Sequence, residues 1–326
     1  MAFPQHTMRT KERRQKRLQA PVISTTIDMG NRKASLLVLA AATMWGCMSL
    51  FIRKLTADGF SPFEIVAGRM LVGSVGLLVI MLVTDPSKLR IRLRDLWIFA
   101  VMGVGATLYN YFYILCINLS EASVAIVLLY TSPIFVMIIG AVLFREKVTP
   151  RKVLSLAMTF VGCVLVAGVL GGVRMSLPAF AAGIAGGFFY GSYSIVGRLA
   201  MQRYDALTAT FYTFLFCMGS CFLLSDVGSM ARTISADPTL IVWFIGIGIF
   251  CALLPYLFYN WALARMEASR AAILATSEVL VAGALGIFAY GESAGVLKLV
   301  GMALIFAAVI VLNTGKPETE EASDAA

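Results

Sequence analysis

One apolar unit occurs twice in this 326-residue sequence. Leu108–Glu146 lies over Leu254–Glu292 at a constant offset of 146, with ten of 39 positions identical. The run Glu121-Ala122-Ser123 meets Glu267-Ala268-Ser269, and Phe112-Tyr113, Gly140 and Glu146 meet Phe258-Tyr259, Gly286 and Glu292. Earlier in each half, Trp45-Gly46-Cys47-Met48-Ser49 lies over Tyr190-Gly191-Ser192-Tyr193-Ser194 at an offset of 145, and Arg53 then meets Arg198. A chain built this way must fold as two copies of one unit packed against each other.

The unit is made of membrane spans. Residues are 59% apolar and only 14% charged, whereas soluble chains carry about 25% charged residues. A bilayer crossing takes about 20 apolar residues. Ten such stretches are present, at about 34–52, 62–83, 96–117, 123–143, 153–173, 177–196, 206–224, 240–263, 271–290 and 296–313. Five spans per unit is an odd number, so the second unit enters the membrane from the opposite side. The expected fold is an all-α membrane protein of ten transmembrane helices arranged as two inverted five-helix repeats. Residues 1–33 form a basic tail, 34–173 the first repeat, 177–313 the second and 314–326 an acidic tail. The first apolar stretch is too long for a signal-peptide core and lacks a closing small-residue cleavage site, which reads as an uncleaved span.

The net charge of +9 would suit nucleic acid, but its distribution does not. Counting loops alternately, 21 Lys and Arg fall on the side of the two tails and five on the other: Arg53, Lys54, Arg174, Arg232 and Lys298. That asymmetry is the positive-inside rule, and it predicts both termini in the cytoplasm of a cell (inner) membrane protein. A role for the first 17 residues on anionic lipid is the alternative. All six cysteines fall within spans and the only histidine, His6, is in the tail. Cys217 and Cys221 are one turn apart without further ligands nearby, so no metal and no cofactor are expected.

Small residues predict close helix contacts. Gly183, Gly187 and Gly191 line one face of span 6, Ala42 and Gly46 match the last two of them in span 1, and Ala282 and Gly286 lie in span 9. Such faces serve packing, or sliding during a conformational change. Pro133 and Pro255 lie within spans and are expected to kink them, freeing the carbonyls of Leu129 and Cys251.

Trp45-Gly46, Arg69, Pro133, Phe144-Arg145-Glu146, Tyr190-Gly191, Ser277-Glu278 and Tyr290-Gly291-Glu292 together resemble the EamA branch of the drug/metabolite transporter superfamily, over about residues 34–313. The resemblance implies a membrane carrier for small metabolites: amino acids, nucleotide-like molecules, sugars, polyamines or drugs. Export is common in that family, and proton coupling or facilitated exchange is typical. One departure stands out. The family usually carries Glu-Pro in span 9, and here Val279 follows Glu278, which implies a straighter span 9.

The residues themselves nominate a site. Glu278 lies near mid-membrane, where a charge costs at least about 2.5–3.5 kcal/mol, so it is expected to face a wet cavity, pair with a cation or take up a proton. Arg69 in span 2 is expected to bind an anionic group, pair with a carboxylate such as Glu278, or snorkel to the interface. Span 3 carries Tyr109, Asn110 and Tyr113, and span 8 carries Tyr256, Tyr259, Asn260 and Trp261. Of these, Asn110, Tyr113, Tyr256 and Asn260 are the leading candidates, because buried amides need partners. Trp45, Tyr190, Ser194, Tyr130, Thr131, Thr276 and Ser277 follow, the aromatic ones suiting a planar or cationic substrate as well as plain packing. Glu64 reads as interfacial. Glu121 and Glu267 stand where a carboxylate complements a helix N-terminus, and Glu146 and Glu292 where it would pair with a loop cation.

The expected function is alternating-access transport of a small polar metabolite, such as an amino acid or nucleoside-like compound, with protons as a candidate coupling ion and export slightly favoured. The partners are that solute and the bilayer, with no nucleic acid, and the carrier is a monomer or homodimer. No nucleotide-binding motif suggests direct ATP drive. A lipid-modifying enzyme would need a His, Asp or Glu cluster at one interface, and no enzymatic activity is expected. A membrane scaffold or sensor without transport is the remaining alternative.

Overall fold

The computed structural model describes residues 32–120, 122–168, 176–291 and 295–313. Glu121, Glu292, the Tyr290 side chain and nearly all of both tails, including His6, lie outside the described residues. Among the described residues there is no strand, and ten helices are long and apolar enough to cross a membrane. They are α1 (Arg32–Ala57), α2 (Pro62–Thr84), α3 (Leu93–Leu119), α4 (Val124–Leu143), α5 (Pro150–Ala167), α6 (Leu177–Ala200), α7 (Ala206–Leu223), α8 (Leu240–Leu263), α9 (Ala268–Ala289) and α10 (Val296–Asn313).

Their starts are written locally. At α2, Ser61 Oγ accepts from Glu64 N–H at 3.3 Å while Ser61 N–H donates to Glu64 Oε2 at 2.7 Å, with Pro62 in the first turn. This reciprocal cap satisfies orphan donors and explains why Glu64 is buried at a helix mouth. Thr149, Ser176 and Asp205 cap α5, α6 and α7 one way, each side chain accepting from the backbone N–H three residues on. Between the caps the helices are apolar on all sides, and large side chains such as Val75, Val79 and Val83 on α2 face outward, as a lipid-facing surface requires.

The two repeats interleave. α3 packs along α6, α2 along α7, and α5 along α10. The last two are pairs of repeat counterparts, so the pseudo-two-fold axis passes between the partners of each pair. Glycines permit the closest approaches. A Cβ on Gly191 of α6 would sit 2.9 Å from the carbonyl oxygen of Ser132 in α4. A Cβ on Gly46 of α1 would sit 2.8 Å from the carbonyl oxygen of Glu278 in α9. Ser132 and Glu278 are themselves related by the offset of 146, so one backbone contact is built twice.

Those contacts fall beside matched helix breaks. α4 is interrupted at Tyr130–Thr131 and α9 at Thr276–Ser277. In α4, Thr131 N–H donates to Leu128 O at 3.1 Å and Thr131 Oγ1 to the same oxygen at 2.6 Å. In α9, Ser277 N–H donates to Leu274 O at 3.1 Å, and Thr276 Oγ1 to Ile273 O at 2.6 Å. The absence of proline at Val279 therefore does not straighten α9, contrary to the sequence expectation. The hydroxyls draw the backbone into three-residue turns by competing for helical carbonyls. In α8, Pro255 follows a π turn at Ile249–Leu253, a common accommodation of a displaced helical bond.

Candidate functional site

A cavity of about 390 Å³ lies between the repeats, lined by α1, α2, α3, α4, α6, α8 and α9. Its wall is built from repeat-related pairs: Trp45 with Tyr190, Ser49 with Ser194, Asn110 with Tyr256, Tyr113 with Tyr259, and Ser132 with Glu278. The cavity therefore sits on the pseudo-symmetry axis. The departure from symmetry that adds a charge is Ser132 and Glu278, where a hydroxyl on α4 has a carboxylate as its counterpart on α9.

Glu278 follows the α9 break. Its Oε1 accepts from Tyr130 OH at 3.0 Å and Tyr190 OH at 3.1 Å. These donors come from α4 and α6, so they hold the carboxylate by both repeats. Its Oε2 has no donor among the described residues.

Arg69 comes from α2, in the first repeat, and is 4% exposed. Its Nη1 contacts the thioether sulfur of Met48, a weak acceptor, and its Nε has no hydrogen-bond partner. No ion pair joins it to Glu278 or to any other carboxylate among the described residues. A buried guanidinium left without an anion is expensive, and this one faces a cavity. The remaining wall is aromatic and held in edge-to-face or tilted contacts: Trp45 on Tyr256 at 5.2 Å, Tyr193 on Tyr256 at 5.3 Å, and Tyr109 on Tyr190 at 5.1 Å. Such packing fixes ring orientation.

Of the sequence candidates, Glu278, Arg69, Asn110, Tyr256, Tyr113, Trp45, Tyr190, Ser194 and Tyr130 line this cavity. Asn260 and Thr276 do not. Asn260 is fully buried, donating to Tyr193 OH and Thr210 Oγ1, both at 2.8 Å, and accepting from Tyr193 OH at 3.1 Å. Thr276 spends its hydroxyl on the α9 break. Trp261 is also elsewhere, with the Arg265 guanidinium 3.3 Å over its ring. Met48, Ser49, Ser132 and Tyr193 line the cavity without having been singled out. The repeat offsets would have found Ser49 and Ser132, as counterparts of Ser194 and Glu278.

The cavity reaches Ile52 and the exposed Arg53 at the end of α1. Beyond the cavity, on the lysine- and arginine-rich face, Glu146 ties helix ends together. This carboxylate, just past α4, accepts from the backbone N–H of Ala268 at 3.0 Å and of Ser269 at 3.3 Å, from Ser269 Oγ, and from Arg198 Nη1 at 2.6 Å. It thus caps the N-terminus of α9 from another helix, where negative charge is favoured. The sequence assigned that role to Glu267. The structure instead leaves the Glu267 side chain out of the cap and pairs it with Lys152 of α5. Arg198 is on α6, so the cation that meets Glu146 comes from a helix end of the other repeat.

Comparison with known proteins gives a consistent picture. The model of the EamA-like transporter family matches residues 32–168 and again 177–314. An "Uncharacterized transporter" of Archaeoglobus fulgidus is 26% identical over 84% of this chain and 94% of its own length. A "Probable terminal-alkyne amino-acid exporter" of Streptantibioticus cattleyicolor is 25% identical over 78% of this chain and 85% of its own. One solved crystal structure, 20% identical, superposes with a TM-score of 0.69 over 85% of this chain and 95% of its own. It shows a shared fold.

Proposed function

Because the chain belongs to the EamA-like transporter family and is a multi-pass membrane transporter, not an enzyme, we propose that its cargo is a small amino-acid-like zwitterion. The observation that carries this reading is the pair of opposite charges in one aromatic cavity, unpaired with each other. Arg69 would take the carboxylate of the solute and Glu278 the ammonium group, and the tyrosines and Trp45 would cover the side chain. A zwitterion satisfies both buried charges at once, which neither a simple anion nor a simple cation does. The name of the Streptantibioticus cattleyicolor relative agrees with this cargo and with export.

Transport proceeds by alternating access about the pseudo-two-fold axis. In the described conformation the cavity reaches the Arg53 end of α1, and on this reading the Glu146 contacts keep the opposite end closed. The excess of loop Lys and Arg supports a cytoplasmic Glu146 face and cytoplasmic termini. The described state is then outward-facing. Glu278, as the only carboxylate lining the cavity among the described residues, is the candidate proton carrier for coupling. One chain supplies the whole cavity, so a monomer suffices.

The test is thermal stabilisation of the detergent-purified protein by the free amino acids, each run beside its N-acetyl derivative and methyl ester. The expected result is a rise in Tm with at least one free amino acid that both derivatives lose, and that Glu278→Gln also loses. Equal stabilisation by the free and blocked forms would overturn the zwitterion reading.

A further inference from the structure

A second cavity, of about 510 Å³, shares no lining residue with the first. It lies where the loop between α2 and α3 meets the turn between α6 and α7, on the lysine- and arginine-rich face. Arg90, Arg92, Arg94 and Arg203 line it, with Asp95, Tyr204 and Ile91. Four guanidinium groups against one carboxylate leave a local charge of about three.

The single acid is already committed. Asp95 is 2% exposed; its Oδ1 accepts from Arg203 Nη1 at 2.6 Å and its Oδ2 from Tyr204 OH at 2.7 Å. Tyr204 OH in turn accepts from the backbone N–H of Arg92 at 3.2 Å. The side chains of Arg90 and Arg92 have no carboxylate within pairing distance among the described residues. Asp95 therefore orders the wall and does not neutralise it.

The loop is also held in place. Thr208 Oγ1 donates to Lys88 O at 2.9 Å, Tyr212 OH donates to Leu89 O at 2.6 Å, and Lys88 pairs with Asp205 at 3.0 Å. Arg90 and Arg92 have extended backbone, so these two fall on one side of the segment, and Arg94 follows in the 3-10 turn Leu93–Asp95 that opens α3. Ile91, between them, packs against the core. Like charges lining one cavity repel, and an anion bound among them would relieve that repulsion.

Neighbouring side chains give the depth of the cavity. Leu93 is 81% exposed, and Trp97, one turn along on α3, is 51% exposed. An exposed tryptophan beside an exposed leucine at a helix end marks the level of lipid headgroups, where indole rings settle. The arginines thus lie at the depth of phospholipid phosphate, on the face that carries most of the loop cations.

We propose that Arg90, Arg92, Arg94 and Arg203 form a binding site for the phosphate of an anionic phospholipid headgroup. Guanidinium groups suit this ligand because their forked donors match phosphate oxygens. The bound lipid would bridge the α2–α3 loop to the α6–α7 turn, and so join the first repeat to the second at a point remote from the transport cavity.

The test compares Tm of the detergent-purified full chain with phosphatidylglycerol, with phosphatidylcholine and with inorganic phosphate at equal concentration. Retained lipid is counted in parallel by native mass spectrometry. Phosphatidylglycerol is expected to raise Tm by about 3–6 °C at saturation, with at least one molecule retained, while the other two give little. Arg90→Gln/Arg92→Gln should lose most of the shift and the retained lipid. Arg145→Gln/Lys147→Gln, on the same face but outside the cavity, should keep both. If the double variant is itself less stable, the retained-lipid count still decides. Equal loss in the two variants would overturn the site in favour of diffuse surface charge. An equal shift with phosphatidylcholine would overturn the charge selectivity, and an equal shift with inorganic phosphate would assign the cavity to a free anion.

Discussion

Replacing Glu146 with glutamine keeps the shape of the side chain and removes the charge that holds α4, α6 and α9 together. Glu146 Oε1 receives Arg198 Nη1 and Ala268 N–H, and Oε2 receives Ser269 N–H and Ser269 Oγ. In Glu146→Gln one oxygen becomes an NH₂ group, which cannot accept from either Ser269 donor, and the remaining oxygen meets Arg198 as a neutral acceptor. Hydrogen bonds to charged groups contribute about 1.5–3 kcal/mol each, and the charge at the α9 N-terminus up to about 2 kcal/mol. Water entering the opened end recovers part of this, leaving about 3 kcal/mol, or a shift on the order of 100-fold in the equilibrium between closed and open forms of this end. The reporter is Ala272→Cys, which lines the cavity on α9, in a Cys47→Ser background, since the other five cysteines are buried. A membrane-impermeant maleimide applied to oriented vesicles should label the reporter from the Arg53 face when Glu146 is present, and from the lysine- and arginine-rich face in Glu146→Gln. Labelling from the Arg53 face alone in both proteins would refute the assignment of Glu146 as the seal.

Two further substitutions separate packing from ligand contact. Gly46→Ala places a Cβ 2.8 Å from Glu278 O and 2.5 Å from Val281 Cβ; it should cost about 1–3 kcal/mol, read as a fall in Tm, with weakened ligand binding because α9 shifts at Glu278. Asn260→Ala leaves the buried Tyr193 OH without its partner, while Thr210 Oγ1 keeps its bond to Ala206 O; it should cost about 1–3 kcal/mol in stability while leaving the ligand dissociation constant within about twofold.

The spans were legible because lipid demands apolar side chains on every helical face, so hydropathy alone marks them. The repeat was legible because both halves keep the same residues at the same offsets. Much of the cavity wall followed from it: Trp45, Tyr190, Asn110 and Tyr256 are matched pairs, and all four face the cavity. Rotation about a helix axis was harder to read. Asn260 lies one turn from Tyr256 on α8, yet the side chain points to Tyr193 and Thr210, because a buried amide goes where partners are, and sequence spacing does not record partners. The α9 break was misread for a similar reason. Proline is a visible helix breaker, but Thr276 and Ser277 break α9 through hydroxyl and backbone bonds that sequence leaves implicit. Glu146 was read as a partner for a loop cation, and only the tertiary arrangement reveals that α9 begins beneath it.

The most direct measurement of the central claim is solute counterflow in liposomes preloaded with unlabelled amino acid, using the purified protein and its Glu278→Gln and Arg69→Gln variants. The account predicts transient accumulation of labelled amino acid by the unmodified protein, and at least a tenfold lower initial rate in each variant although both fold. Counterflow of amino acids in both variants at the unmodified rate would contradict it, as would an unmodified protein that moves none of them.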